Sequence, residues 1–457
     1  MMQNESSTAA KWLQPSRVLP LILLLAMVIR LWNIEQPKMS ADESMHYFPE
    51  MQQIHQLGFD QQRHHPVDLY HATSPNPIGH PLFAVQLTNF FLQLIVPSAS
   101  VARGVMAMAG VALVGMIYLL GRDLFSPRHG LVAALLAALV PLAVRYNRTM
   151  YLDSIYSLLV ALLIWLLVRA YLTQQWRWFL LSGVVLGLAA ATKTSAPLLV
   201  PLIIVYGVFG WWQARHAPPP PKRKERKRSR NRSTAFGMPL WAKFGAILLL
   251  GFVVFYIFVD PGAYIQSIRH PVDTAYQNRS IGFYLQTTWQ ARDWLMGVML
   301  YLWTPPLLLA ALGGLILLIR EEWRKPSHVL VLLLLWLVSL GPLIPLHLRG
   351  LSGEHGYISF VAPVTLLASL ALMHLPRLWM TIALVIVIVV MLPATILFGH
   401  RLMLLPYNSY LNVVDGEVSW HRPAPVDNST GNSTNIPTES VWLGLELPHG
   451  GIAPTQF

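Results

Sequence analysis

From residue 18 to residue 398 the chain alternates long apolar runs with shorter polar connectors. Twelve runs stand out, at 18–34, 81–97, 101–120, 130–145, 152–172, 178–192, 195–212, 243–260, 293–319, 328–346, 357–375 and 378–398. A helix needs about 20 apolar residues, within a range of about 17–25, to cross a hydrocarbon core. The pattern therefore predicts an all-α polytopic membrane protein with about 11–12 transmembrane helices. Its expected organisation is a cytoplasmic N-terminus (1–17), a first transmembrane module (18–212), a basic cytoplasmic loop (213–242), a second transmembrane module (243–399) and a polar tail (400–457).

Composition agrees with that reading. Of the 457 residues 54% are hydrophobic and 12% charged, about half the charge of soluble domains. Cysteine is absent, which excludes a disulfide framework, a thiol nucleophile and a thiolate metal site. The net charge of +12 is concentrated in Lys222–Arg232, "KRKERKRSRNR", with eight basic residues and one acid. The run has no interleaved aromatics for base stacking. It reads as a cytoplasmic loop under the positive-inside rule, and no nucleic-acid partner is expected.

The other basic flanks complete the orientation. Lys11 and Arg17 put the N-terminus inside, and 121–130, 320–328 and 374–379 also fall inside. With no small-x-small cleavage site after it and a long apolar remainder, 18–34 is expected to be an uncleaved first helix. The 35–80 loop, with juxtamembrane helices, falls outside, as do 261–292, 347–357 and the tail. Six runs between the 35–80 loop and the inner basic loop would return the chain to the wrong side, so one should not span. The candidate is 81–97, as a re-entrant or juxtamembrane helix. The tail is rich in Pro, Asn and Thr, carries "NST" at 428 and 432, and is expected to be disordered or loosely packed.

Most acids fall on the outer side of this map. Acids do little to set topology, so their clustering suggests a site there. Four constellations lie on that side. "SADESMHY" brings Asp42, Glu43, His46 and Tyr47 just after the first run. "NRTMYLDSIYSLL" sets Arg148 and Asp153 at the mouth of a membrane helix, "ATKTSAP" carries Lys193, and "HLRGLSGEHGY" brings Arg349, Glu354, His355 and Tyr357. Each has a plainer reading: wet loop acids, a helix-capping Asp with a snorkelling Arg, a polar turn, a polar loop. Together, carboxylates suit a general base or a metal, and cations suit an anionic leaving group.

In order and spacing these motifs resemble the GT-C glycosyltransferases, polytopic enzymes that use polyprenyl-phosphate sugars. The protein O-mannosyltransferases and the bacterial lipid A aminoarabinose transferases are the most similar members. "GHPLF" (79–83), with His80, resembles their His-Pro-Pro-Leu motif with one proline missing, and "GRDLFSPRHGLVAALLAALVP" and "GEHGYISFVAP" resemble further family segments. The resemblance implies a GT-C-type bundle that transfers a sugar, with inversion, to a protein, lipid or glycan acceptor at the outer face of the cell membrane. It implies Asp42, Glu43 and Asp153 as catalytic acids. Arg148, Lys193, Arg349 and His355 would meet the donor phosphate, and His46, Tyr47, His80 and Tyr357 the substrate pocket. A divalent metal at Asp42 and Asp153 stays open, and no other cofactor is implied. The alternatives are a transporter or flippase of a lipid-linked substrate, against which stands the lack of two-half symmetry, and an assembly protein without chemistry.

Overall fold

The computed structural model describes residues 15–35, 83–95, 98–216, 240–262, 264–265, 296–322, 327–340, 354–400, 410–414 and 417–421. Its helices are α1 (Pro15–Leu31), α2 (Phe83–Leu94), α3 (Ala99–Leu124), α4 (Pro127–Leu139), α5 (Pro141–Asn147), α6 (Asp153–Thr173) and α7 (Trp176–Ala190). There follow α8 (Leu199–His216), α9 (Leu240–Phe258), α10 (Pro305–Glu322), α11 (His328–Leu340), α12 (Val361–His374) and α13 (Arg377–Ala394). Among the described residues six segments are long and apolar enough to cross a membrane, or seven if the bent α4–α5 pair is one span.

Local sequence sets these boundaries. Ser98 and Ser126 cap α3 and α4 with their hydroxyls, and Pro127 opens α4 where its missing N–H costs nothing. Gln174 ends α6 in the left-handed region, at φ 56°. The centre of the bundle is α3 against α4 and α6. α1 lies across α3 and α4, and α12 packs on α4 and α10. α7 packs closely on α9 because a Cβ at Gly187 would come within 2.6 Å of the Gly251 carbonyl oxygen. Small residues let helix backbones approach in this way where lipid offers no hydrophobic drive.

Two runs expected to be continuous are broken. Proline disfavours the helical region for the residue before it, so Val140 sits at φ −60° and ψ 115° and α4 and α5 meet at 60°. The run at 293–319 is interrupted at Thr304, with φ 63°, immediately before Pro305. α2 has twelve residues, about 18 Å of helix, too short to cross alone. In the tail, expected to lack regular structure, Tyr410–Val414 pairs antiparallel with Glu417–His421. A signal was present: Asp-Gly at 415–416, with Val413 and Val414 before it and Val418 after it, is a short-range hairpin signature.

The break in α4–α5 leaves carbonyls without helical donors. Pro141 has no N–H for the Ala137 carbonyl. Arg30, on the last turn of α1, supplies the replacement: its guanidinium donates to Ala138 O at 3.0 Å and Ala137 O at 3.2 Å. The Thr395 hydroxyl donates to Leu139 O. Both side chains are buried. Arg30→Met is expected to lower stability by about 2–4 kcal/mol, because two buried carbonyls lose their donors. Arg30→Lys, with one nitrogen for two carbonyls, should recover part of the loss. Unfolding in detergent by heat and denaturant measures both.

Candidate active site

The helix order gathers the sequence-predicted residues that are described, Arg148, Asp153, Lys193 and Tyr357, at one end of the bundle. α6 starts at Asp153 and runs to Thr173, and α7 returns from Trp176 to Ala190, so Lys193 comes back to the level of Asp153. The opposite end is marked by Asp123, which pairs with Arg122 at 2.7 Å and with Arg169 at 3.5 Å and accepts from the Trp165 indole.

Asp153 and Lys193 form an ion pair. The carboxylate is buried, and the lysine side chain keeps 17% of its surface exposed. Asp153 stands in the first turn of α6, where the helix dipole favours a negative charge. Lys193 also lies 6.0 Å from the Tyr156 ring centroid, over its face. A buried carboxylate and an ammonium with a limited path to solvent can offer a fixed positive charge to an anion. Around them, Asn147 donates to Ser154 at 3.1 Å and Ser157 meets Ser359 at 3.1 Å. The second contact docks the 3-10 turn Glu354–Phe360, which carries His355 and the buried Tyr357, against α6. Phe83 N donates to Ala191 O at 2.8 Å, tying the start of α2 to the same corner.

Arg148 is at this end too, but it faces protein. It is buried, and it donates to Trp32 O at 2.7 Å, Asn33 O at 2.9 Å and the His400 ring nitrogen. It closes the C-terminal end of α1 as Arg30 closes that of α4. Arg145 and Arg103 act alike, on Phe398 O and Ile34 O, each at 3.1 Å. The His400 ring lies 5.4 Å from Trp32. Burial first, then the guanidinia of Arg148 and Arg30, push its imidazole down to about 4, so it is neutral at pH 7 and accepts from Arg148.

Asp42, Glu43, His46, Tyr47, His80 and Arg349 lie outside the described residues, and of His355 only the backbone is described. Among the described residues no group of three His, Asp or Glu gathers as a metal set, and Asp153 already has Lys193 as its counter-charge. Sequence reasoning passed over Arg30 and His400. For Arg30 a signal existed, since an arginine inside an apolar run rarely lacks a buried task. For His400 none did.

Two outcomes are expected. Lys193→Met should cost about 3–5 kcal/mol by leaving Asp153 charged and buried, and Asp153→Asn combined with Lys193→Met should cost less than that single change. A double-mutant cycle of unfolding in detergent checks this. His400 binds its proton more weakly in the folded chain than its ordinary 6.5, so its contribution is complete above pH 6.5 and is lost as pH falls towards 4. The unfolding temperature should drop over that window, and His400→Gln, which can still accept from Arg148, should flatten it.

Residues 79–218 match the model of the dolichyl-phosphate-mannose-protein mannosyltransferase family. No curated protein matches the chain in sequence. Among solved structures, the oligosaccharyltransferase AglB of Archaeoglobus fulgidus, in complex with an inhibitory peptide and a dolichol-phosphate, superposes with TM-score 0.57 at 14% identity, over 86% of this chain and 56% of that one. ArnT of Cupriavidus metallidurans bound to undecaprenyl phosphate superposes with TM-score 0.52 at 15% identity, over 84% of this chain and 64% of that one. The chain thus spans little more than half the length of AglB and under two thirds of ArnT. The chain has the GT-C fold of these polytopic membrane glycosyltransferases, and it resembles the O-mannosyltransferases and ArnT.

Proposed function

We propose that the chain is an integral membrane glycosyltransferase that moves a hexosyl or pentosyl unit from a polyprenyl-phosphate donor, of dolichyl or undecaprenyl type, to a protein, lipid or glycan acceptor. The observation that carries this reading is the buried Asp153–Lys193 pair. It stands at the end of the bundle where α1 stops and the acidic stretch with Asp42 and Glu43 follows in sequence. The matched fold supports the donor class, since AglB and ArnT were solved with dolichol-phosphate and undecaprenyl phosphate.

Connectivity and charge support an extracytoplasmic site. α8 leaves the Lys193 end and finishes at His216, and α9 begins at Leu240. The chain between them carries the basic run, which the positive-inside rule assigns to the cytoplasm. Asp153 and Lys193 then belong to the extracytoplasmic face of the cell membrane.

In this reading the acceptor attacks the anomeric carbon from the face opposite the phosphate. The bond from that carbon to the phosphate oxygen breaks, its electron pair leaves with the polyprenyl phosphate, and the configuration inverts. Asp42 takes the acceptor's proton, with Glu43 beside it. Lys193, Arg349 and His355 balance the charge growing on the departing phosphate. Asp153 holds the lysine ammonium in place. Arg148 is a positioning residue: through the Trp32 and Asn33 carbonyls it fixes the base of the segment that leads to Asp42. Asp42 is seven residues beyond Glu35, a reach of at most about 25 Å, and Asp153 lies five residues from the Arg148 that touches α1. His46, Tyr47, His80 and Tyr357 line the sugar pocket.

Purified protein in lipid, given labelled polyprenyl-phosphate sugars and a membrane extract as acceptor, should release polyprenyl phosphate. Asp42→Asn is expected to lower release by about 10²–10⁴-fold with folded protein retained. Near-normal turnover in Asp42→Asn would remove its role as base. Tight binding of the lipid without release from any donor would replace the transferase by a carrier.

A further inference from the structure

An apolar groove runs between α8 and α9 at the end of the bundle away from Lys193. It encloses about 490 Å³, within the range of about 300–1,000 Å³ that small-molecule clefts occupy. Its walls include Gly207, Val208 and Trp211 on one side and Trp241, Gly245 and Leu248 on the other. Two glycines explain why it is open. A Cβ at Gly207 would come within 2.8 Å of the Phe244 ring, so that glycine lets the helices converge at the groove floor. A Cβ at Gly245 would meet nothing within 4 Å.

Among the described lining residues one is charged, Arg215. Its guanidinium lies over the Trp211 ring, 4.2 Å from the centroid, at the last turn of α8. Trp241 is 67% exposed and Val208 57%, so the walls face the lipid rather than the core. Tryptophans and a snorkelling arginine beside an apolar slot are the chemistry of a bilayer interface. The sequence that follows α8 is mostly Pro, Lys and Arg, with Lys222–Arg232 close behind. Such a basic stretch draws anionic headgroups to its leaflet.

We propose that the groove seats an acyl chain of an anionic phospholipid, with the headgroup phosphate on Arg215. The shape fits a flexible chain between two helices. One cation and no acid among the described lining residues favour a negative headgroup over a zwitterionic one.

The full-length protein in phosphatidylcholine nanodiscs or zwitterionic detergent can be titrated with phosphatidylglycerol or phosphatidylcholine and read by native mass spectrometry. Wild type should retain phosphatidylglycerol about fivefold more tightly than phosphatidylcholine, the increment expected of one basic residue at a membrane surface. Arg215→Gln should erase that preference. Gly245→Leu, which fills open space, should weaken both lipids with the unfolding temperature preserved. Equal affinity for the two lipids in wild type, or retention unchanged in both variants, would overturn the proposal. So would displacement of the bound lipid by equimolar undecaprenyl phosphate, which would give the groove to the donor instead.

Discussion

In a hydrocarbon interior every backbone carbonyl must find a donor within the protein, and Pro141 withholds one in the middle of an apolar run. The rest of the architecture answers that constraint. α4 stops, α5 turns away by 60°, and the freed carbonyls accept from Arg30 of α1 and from Thr395 after α13. Helices from the two ends of the described chain are thereby tied to one point. The turn also carries Arg145, Asn147 and Arg148 into the protein and sets the start of α6, which brings Asp153 to the site.

Among the described residues, cations towards the site end divide into two kinds. Arg30, Arg103, Arg145 and Arg148 are buried and donate to main-chain oxygens. Their planar, permanently charged forks suit them to bridging two carbonyls at once. Lys193 differs: it pairs with a carboxylate and keeps a path to solvent. An ammonium held by a buried carboxylate but still open to solvent can meet an incoming anion where it stands, which a guanidinium committed to main-chain carbonyls cannot do without unravelling a helix end. That contrast separates the group suited to ligand from the groups that hold its surroundings.

Much of this was legible in the sequence. Apolar runs gave the order of the helices because burial in lipid demands length and hydropathy; of the roughly 11–12 spans expected, six, or seven with the bent pair, are long and apolar enough to cross among the described residues. Motif order gave the fold resemblance, and Arg148, Asp153, Lys193 and Tyr357 do fall at one end of the bundle. The breaks at Val140 and Thr304 were less legible. Hydropathy averages over one or two prolines, and the 130–145 and 293–319 runs stay apolar across theirs. The task of Arg148 was hidden for a different reason. Its partners at Trp32, Asn33 and His400 stand more than a hundred residues away in the chain, so spacing near Asp153 suggested a ligand where the fold supplied carbonyls.

The sequence by itself determined that the chain is helical, membrane-embedded and basic on one side, since these follow from composition and period within each segment. Only the tertiary structure decided which charges meet: Lys193 with Asp153, Arg148 with the end of α1, Arg30 with the broken α4. A side chain's partner is fixed by where separate helices place their ends, and no local pattern encodes that.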